Sequence, residues 1–183
     1  MTLYLCRHGA VEDVYRGRYN GHLDIPASKA GLIEAKENFK ALSDIDFDVV
    51  YCSTLQRAKA TLDVLGVKQK IIYTEVLREK SWGRHEGKSY EEVVQMEART
   101  YENFEQWLEV LDGQDHQKFI ENIRQFLLSL AQNSYKNVLL MTHAGVIYSM
   151  IHLIDTIPLE EAFSINISYG NFYKISLNHQ NHV

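Results

Sequence analysis

The chain has 183 residues, of which 45% are hydrophobic and 23% are charged. This composition is typical of a folded globular protein, excludes a disordered tail or a fibre, and supports a core that needs no disulfide or structural metal. With 24 acidic and 19 basic side chains the formal charge is −5, which argues against general binding of nucleic acid or anionic membranes. No apolar run approaches the roughly 20 residues of a membrane span. We therefore expect a cytoplasmic protein with neither nucleic acid nor membrane as partner.

Three short apolar runs, at residues 2–6, 49–52 and 138–142, predict buried parallel strands. Apolar residues at helical spacing predict helices over 30–42, 119–130 and after Gly145. Ser53 is predicted to cap a helix ending near Leu65, with Gln56 closing a capping box. Shorter strand signals occur at 70–74 and 173–177, and the second is predicted to be an edge strand.

Strands that alternate with helices predict an α/β fold with a parallel sheet. The sequence shows no repeat and no linker, so residues 1–183 are predicted to form a single domain. Residues 89–117 are acidic and aromatic, and we interpret them as a helical insertion over one end of the sheet. By composition alone, a pair of solvated helices whose aromatic residues dock on the core is the simpler alternative.

Ionisable residues follow each of the three predicted buried strands. Arg7 and His8 follow the first, Arg57 comes shortly after the second, and His143 follows the third. Because ligands of open α/β sheets bind outside the carboxyl ends of the strands, these four side chains should meet in one crevice. Two guanidinium groups can grip phosphate oxygens in pairs, so the sequence predicts a pocket for an anion.

Two arginines that supply positive charge allow a histidine to stay neutral, with a ring nitrogen free to attack phosphorus. Phosphoryl transfer to that nitrogen needs no metal, but the departing alkoxide needs a proton, and a carboxyl group is a common donor. Glu79 is one candidate, and Glu86 and Glu75 are nearby alternatives.

Four segments, at residues 7–9, 52–58, 77–87 and 142–145, are similar in content and order to the motifs of a known family. The first reads Arg-His-Gly and the last reads Thr-His-Ala-Gly. Together they resemble the histidine phosphatase superfamily, also called the phosphoglycerate mutase-like family. The resemblance implies a three-layer α/β sandwich with a mostly parallel central sheet, no metal and no organic cofactor.

The resemblance also implies a role for each site residue. His8 would become phosphohistidine, while Arg7, Arg57 and His143 would hold the phosphoryl group. Glu79 would protonate the leaving oxygen and then activate water. These roles describe hydrolysis of a small-molecule phosphate ester.

The segment after the Arg-His-Gly tripeptide departs from the family pattern. Many members have an asparagine where this chain has Val14, so one phosphate contact is missing or comes from elsewhere. Residues 17–26 resemble members that are α-ribazole phosphatases, which act late in cobalamin synthesis. Asn20, the backbone of Gly21, and Ala144 are the candidates for further substrate contacts.

The predicted function is that of a phosphomonoesterase, with α-ribazole phosphate as one candidate substrate. Alternatives are mutase-type phosphoryl transfer, a regulatory module that binds phosphate without turnover, and a metal hydrolase. The chain is too short for the longer insertions of the cofactor-dependent mutases. The sequence leaves the oligomeric state open, with a homodimer as one option. Ligands for a metal would come from His8, His22, Asp24, His85 and His143, although no metal-ligand spacing motif links them.

Overall fold

A computed structural model describes residues 1–99 and 101–177 of the chain. Within this part, five strands form one sheet: β1 (Thr2–Arg7), β2 (Val49–Ser53), β3 (Ile71–Thr74), β4 (Asn137–Thr142) and β5 (Phe172–Ser176). Their order across the sheet is β3-β2-β4-β1-β5. The pairs β1–β4, β4–β2 and β2–β3 are parallel, whereas β5 runs antiparallel to β1 at the edge. The three predicted parallel strands and the predicted edge strand are therefore confirmed.

Seven α-helices occur in the same described residues, and the predicted helices are among them. None of the seven is both long and apolar enough to cross a membrane. The helices are α1 (Lys29–Asn38), α2 (Gln56–Leu65), α3 (Tyr90–Glu97), α4 (Phe104–Val110), α5 (His116–Ala131), α6 (Ala144–Asp155) and α7 (Leu159–Ser164).

Alternate residues of the strands face two separate hydrophobic cores, as a side-chain period of two requires. One core packs α5, α6 and α7 against residues such as Leu3, Leu5 and Leu140. The other packs α1 and α2 against Tyr4 and other residues of opposite orientation, among them the buried free thiols Cys6 and Cys52. Helices cover both faces of the sheet, so the α/β three-layer sandwich is confirmed.

The start of α2 differs from the prediction. Ser53 is the last residue of β2, and α2 begins at Gln56 without a side-chain cap from the residue before it. The Gln56 amide instead donates to Asp24 Oδ1 at 2.7 Å. The predicted Ser53 cap and Gln56 capping box are therefore wrong, because a carboxylate distant in sequence satisfies the helix end and leaves the Ser53 hydroxyl for another contact.

Helices α3 and α4 lie within the acidic, aromatic stretch. Trp107 of α4 packs against Tyr90 and Tyr101 at ring-centroid distances of 4.6 Å each. It also contacts Tyr19 at 5.8 Å, and Tyr19 in turn meets Trp82 at 5.4 Å. Tyr90, Tyr101 and Trp107 thus form a continuous cluster with Tyr19 and Trp82, which reaches the loops at the carboxyl edge of the sheet.

Candidate active site

His8 and His143 meet at the carboxyl edge of the two central strands. In the parallel β1–β4 pair, Arg7 lies opposite Thr142, so the next residue of each strand emerges on the same edge. The His8 amide donates to the Thr142 carbonyl at 3.0 Å, and the two imidazole centroids are 5.0 Å apart. Adjacency of β1 and β4 therefore brings together histidines that are 135 residues apart (143 − 8) in sequence.

The His8 ring is held in one tautomer by its own chain. Nδ1 lies 2.8 Å from the Gly9 carbonyl oxygen. A carbonyl only accepts, so Nδ1 carries the proton and Nε2 keeps its lone pair. Burial lowers the pKa of His8 well below 6.5, nearby Arg57 lowers it further, and the bond to Gly9 opposes them only in part. His8 is therefore a neutral imidazole with a free ring nitrogen at neutral pH.

His143 is almost completely buried beside His8, at 1% exposure. Its Nε2 lies 2.8 Å from the Ser53 hydroxyl oxygen at the end of β2, while its Nδ1 is buried and has no partner among the described residues. Burial lowers the pKa of His143 well below 6.5, and the charge of Arg57 acts in the same direction. When the Ser53 hydroxyl donates to Nε2, Nδ1 carries the proton and can donate to a bound anion.

The two arginines are anchored by backbone carbonyls. Arg7 donates through Nη1 to the Ile167 carbonyl at 2.6 Å, and its Nε is buried without a partner in the part of the chain that the structure describes. Arg57, 2% exposed, donates through its two terminal nitrogens to Leu23 at 2.7 Å and Gly21 at 2.8 Å. Each guanidinium group is thus fixed in place before an anion arrives.

Glu79 closes the site from the side of α6. Its two carboxylate oxygens accept from the amides of Lys80 at 3.0 Å and Gly145 at 3.1 Å. A Cβ atom at position 145 would collide with the Glu79 carboxylate, so the first turn of α6 needs glycine there. Gly145 therefore allows the Glu79 carboxylate to approach the backbone of α6.

The rival carboxylates have other contacts. Glu86 accepts, through a single oxygen, from the amides of His22 at 2.9 Å and Trp82 at 3.2 Å. Glu75 has a side chain that is 76% exposed. Of the three glutamates, Glu79 is the one that lines the cavity in front of His8.

This cavity has a volume of about 180 Å³. It is lined by Arg7, His8, Arg57 and Glu79, which are two cations, a neutral imidazole and a carboxyl group. Such an arrangement can bind a tetrahedral oxyanion, attack it in line and protonate the departing group.

Comparisons with known proteins agree with this geometry. Residues 3–183 match the family model described as histidine phosphatase superfamily (branch 1). The chain belongs to this superfamily. It is 28% identical to adenosylcobalamin/alpha-ribazole phosphatase of Escherichia coli K12, over 97% of this chain and 91% of that protein. The family match and the phosphatase relatives show that this protein is a phosphatase.

Solved structures of the superfamily have the same fold. The crystal structure of alpha-ribazole phosphatase from Shigella flexneri superposes with a TM-score of 0.83 at 26% identity, covering 98% of this chain and 92% of that chain. Phosphoglycerate mutase from Bacillus anthracis superposes with a TM-score of 0.80 at 22% identity, covering 95% and 86%. The second likeness concerns the fold alone.

The predicted substrate contacts of the histidine phosphatase site lie around the same cavity. Asn20, Gly21 and Ala144 all line it. Asn20 donates through Nδ2 to the Tyr15 carbonyl at 2.7 Å, and its Oδ1 is buried without a partner among the described residues. Val14, at the family's asparagine position, is 65% exposed in a short 3₁₀ helix.

Two residues of the metal alternative, Asp24 and His85, are engaged in other contacts. Asp24 accepts from the amide at the start of α2. His85 is fully buried, lies 2.8 Å from Glu97 through Nε2 and accepts from the Asp112 amide at Nδ1. Across residues 1–99 and 101–177, no three His, Cys, Asp or Glu side chains are grouped to hold a metal ion.

Two residues of the site escaped the sequence analysis. Ser53 was assigned to a helix cap, whereas it contacts His143. Tyr169, in the loop before β5, packs on Arg7 and lines the cavity. The position of Ser53 within the motif segment 52–58 was a usable signal, but no sequence pattern marks Tyr169.

Proposed function

We propose that this phosphatase hydrolyses a phosphate monoester through a phosphohistidine at His8, and that a nucleotide-like ester of the α-ribazole phosphate type is its substrate. Two buried nitrogens without partners, on residues next to His8, carry the proposal. Arg7 Nε and His143 Nδ1 both lack partners among the described residues. Arg7 lines the cavity together with His8, and the centroid of the His143 ring lies 5.0 Å from that of the His8 ring. A bound phosphoryl group supplies the acceptors that these nitrogens need.

In the first step, the His8 Nε2 lone pair forms a bond to phosphorus while the bond between phosphorus and the alcohol oxygen breaks. Arg7, Arg57 and His143 stabilise the charge on the three equatorial oxygens. The carboxyl proton of Glu79 passes to the departing alkoxide, so the alcohol leaves neutral. His8 then carries the phosphoryl group, and Glu79 is a carboxylate.

In the second step, the Glu79 carboxylate takes a proton from a water molecule as the water oxygen bonds to phosphorus. The bond between phosphorus and Nε2 breaks, which returns the lone pair to His8. Inorganic phosphate leaves, and Glu79 is again protonated. Retention of the Nδ1 proton by the Gly9 carbonyl keeps the ring in the same tautomer throughout.

The rim of the cavity supports a substrate with a flat, uncharged alcohol portion. Tyr19 and Trp82 line it and can stack on a planar ring. The rim cation Arg18 is already bound by Glu92 at 2.6 Å and by the Gly87 carbonyl at 2.9 Å, which weakens its attraction for a carboxylate or a second phosphate. The Escherichia coli relative is named adenosylcobalamin/alpha-ribazole phosphatase, and a nucleotide-like ester matches this rim.

A phosphate-release screen at matched concentration tests the substrate. The panel contains α-ribazole phosphate, p-nitrophenyl phosphate, phosphoserine and 3-phosphoglycerate. We expect kcat/KM to be highest for α-ribazole phosphate. A preference for 3-phosphoglycerate, or its conversion to an isomer without phosphate release, would contradict the assignment.

Replacement of the nucleophile tests the mechanism. His8→Ala should abolish turnover of p-nitrophenyl phosphate and the acid-labile phosphoenzyme trapped by rapid quench. His152→Asn is the matched control, because an asparagine amide can replace the contact of the His152 ring with the Ile157 carbonyl. Substantial turnover by His8→Ala would rule the phosphohistidine out.

A further inference from the structure

The loop before β5 places an aromatic ring on the face of an active-site arginine. The guanidinium carbon of Arg7 lies 3.8 Å from the centroid of the Tyr169 ring. The same ring is 5.4 Å from the imidazole of His8. At this distance a cation is attracted by the negative face of the ring, and the attraction increases when water is excluded.

Backbone hydrogen bonds join this loop to the nucleophile segment. The Arg7 amide donates to the Asn171 carbonyl at 2.8 Å, and the Gly170 amide donates to the His8 carbonyl at 2.9 Å. Gly170 has a φ of +65°, and a Cβ there would lie 2.9 Å from the Ala35 backbone. The position of Tyr169 relative to Arg7 is therefore determined by the two segments that carry these residues.

These contacts leave one edge of the Arg7 guanidinium free. Its Nη1 is bound to the Ile167 carbonyl at 2.6 Å, and Tyr169 covers one face. Nε is buried and has no partner in the described part of the chain. A guanidinium held at one nitrogen and on one face cannot rotate freely, so its unpaired N–H stays available to the cavity.

We propose that Tyr169 is a positioning residue that orients the Arg7 guanidinium for the phosphoryl group through its ring. It acts through Arg7, and the aromatic face rather than the hydroxyl group is what matters. The inference rests on the proposed function only in taking Arg7 as a phosphate ligand, and it does not depend on the identity of the alcohol.

The pair Tyr169→Phe and Tyr169→Leu separates the ring from the hydroxyl group. For Tyr169→Leu we expect kcat/KM for p-nitrophenyl phosphate to fall roughly tenfold and the inhibition constant of inorganic phosphate to rise by a similar factor. For Tyr169→Phe, kcat/KM and the inhibition constant of phosphate should each change by less than about threefold, because the variant keeps the ring face. Equal losses in the two variants would overturn the proposal in favour of a hydroxyl contact.

Combination with Arg7→Ala distinguishes positioning from a general structural effect. Once Arg7 is gone, Tyr169→Leu should change kcat/KM and phosphate inhibition by less than about twofold, because coupled residues are not additive. Phe163→Leu is the matched control, since Phe163 lines the same cavity but packs against Phe104 and Tyr148. The change in kcat/KM caused by Phe163→Leu should be the same with and without Arg7.

If Tyr169→Leu lowers kcat/KM by the same factor in Arg7→Ala as in the unaltered protein, the positioning role is refuted. Phosphate binding measured by calorimetry provides a readout independent of turnover. If α-ribazole phosphate is not the substrate, or no phosphohistidine forms, the dependence of phosphate binding on Tyr169 and Arg7 can still be measured. Failure of the proposed function and failure of this inference therefore give different results.

Discussion

His143 Nε2 lies 2.8 Å from the hydroxyl oxygen of Ser53, a contact between the carboxyl ends of the neighbouring strands β4 and β2. The Ser53 hydroxyl also accepts from the Leu55 amide at 3.3 Å. Because the Leu55 amide donates to the hydroxyl oxygen, the hydroxyl proton can point at His143 Nε2. Ser53 thereby selects the His143 tautomer whose Nδ1, in the proposed mechanism, donates to the phosphoryl group.

Ser53→Ala should therefore lower kcat/KM for p-nitrophenyl phosphate on the order of tenfold, the usual effect of losing one oriented hydrogen bond of about 1.4 kcal/mol. Ser53→Thr keeps a hydroxyl group and should recover much of the loss. Steady-state kinetics and phosphate inhibition provide the measurement. Unchanged kinetics in Ser53→Ala would show that the tautomer of His143 is irrelevant.

Replacement of Glu79 by Gln removes the proposed proton donor while leaving the side chain nearly isosteric. Turnover of an alkyl phosphate, which has a poor leaving group, should fall on the order of 10²–10³-fold, whereas p-nitrophenyl phosphate should lose far less. Glu86→Gln is the control, because Glu86 accepts from loop amides and does not line the cavity. Equal slowing of both esters by Glu79→Gln would remove Glu79 from the role of acid.

Glu92→Gln should widen the range of substrates. It neutralises the partner of Arg18 while preserving an N3 side chain that can accept from the Ser89 amide. The released cation should raise kcat/KM for 3-phosphoglycerate relative to p-nitrophenyl phosphate about fivefold at low salt, and less at high salt.

The control for that change is Glu91→Gln, which removes an adjacent charge whose side-chain partner is Ser89 rather than Arg18. It should leave the ratio of the two esters within about twofold. An equal gain in both variants would mean that net charge, rather than release of Arg18, determines the preference.

The buried histidine pair should make stability depend on pH. Burial and the charge of Arg57 hold the pKa values of His8 and His143 well below 6.5 in the folded protein. As the pH falls below about 6.5, the unfolded chain takes up protons that the folded protein does not, so the free energy of unfolding decreases. The contribution is fully present above that pH and is lost progressively toward the folded pKa values.

Urea unfolding in buffers without phosphate, at pH values between about 7.5 and 5.5, measures this effect as a slope on the order of 1 kcal/mol per pH unit for each histidine. The His8→Gln/His143→Gln double variant should show a distinctly shallower slope. Identical slopes in the two proteins would assign the pH dependence to other groups.

The residues at the strand ends could be predicted from the sequence, whereas the choice of the acid could not be made from the residues alone. Arg7, Arg57 and His143 each come after a predicted strand, so the sequence alone predicts that they lie at one edge of the sheet. Glu79 came from the motif, but its distinction from Glu86 needed the structure. Both glutamates lie in the same motif segment, and they differ in the amides that donate to them and in whether they line the cavity.

The alternation of apolar strands with amphipathic helices determines by itself that this chain forms a parallel sheet with polar residues at one edge, because strand and helix periods are local properties of the sequence. The tertiary structure alone decided that Tyr169 covers Arg7, that Ser53 meets His143 and that Asp24 caps α2. Each contact joins segments between 32 and 162 residues apart. Such contacts follow from strand order and loop path, which no local pattern specifies.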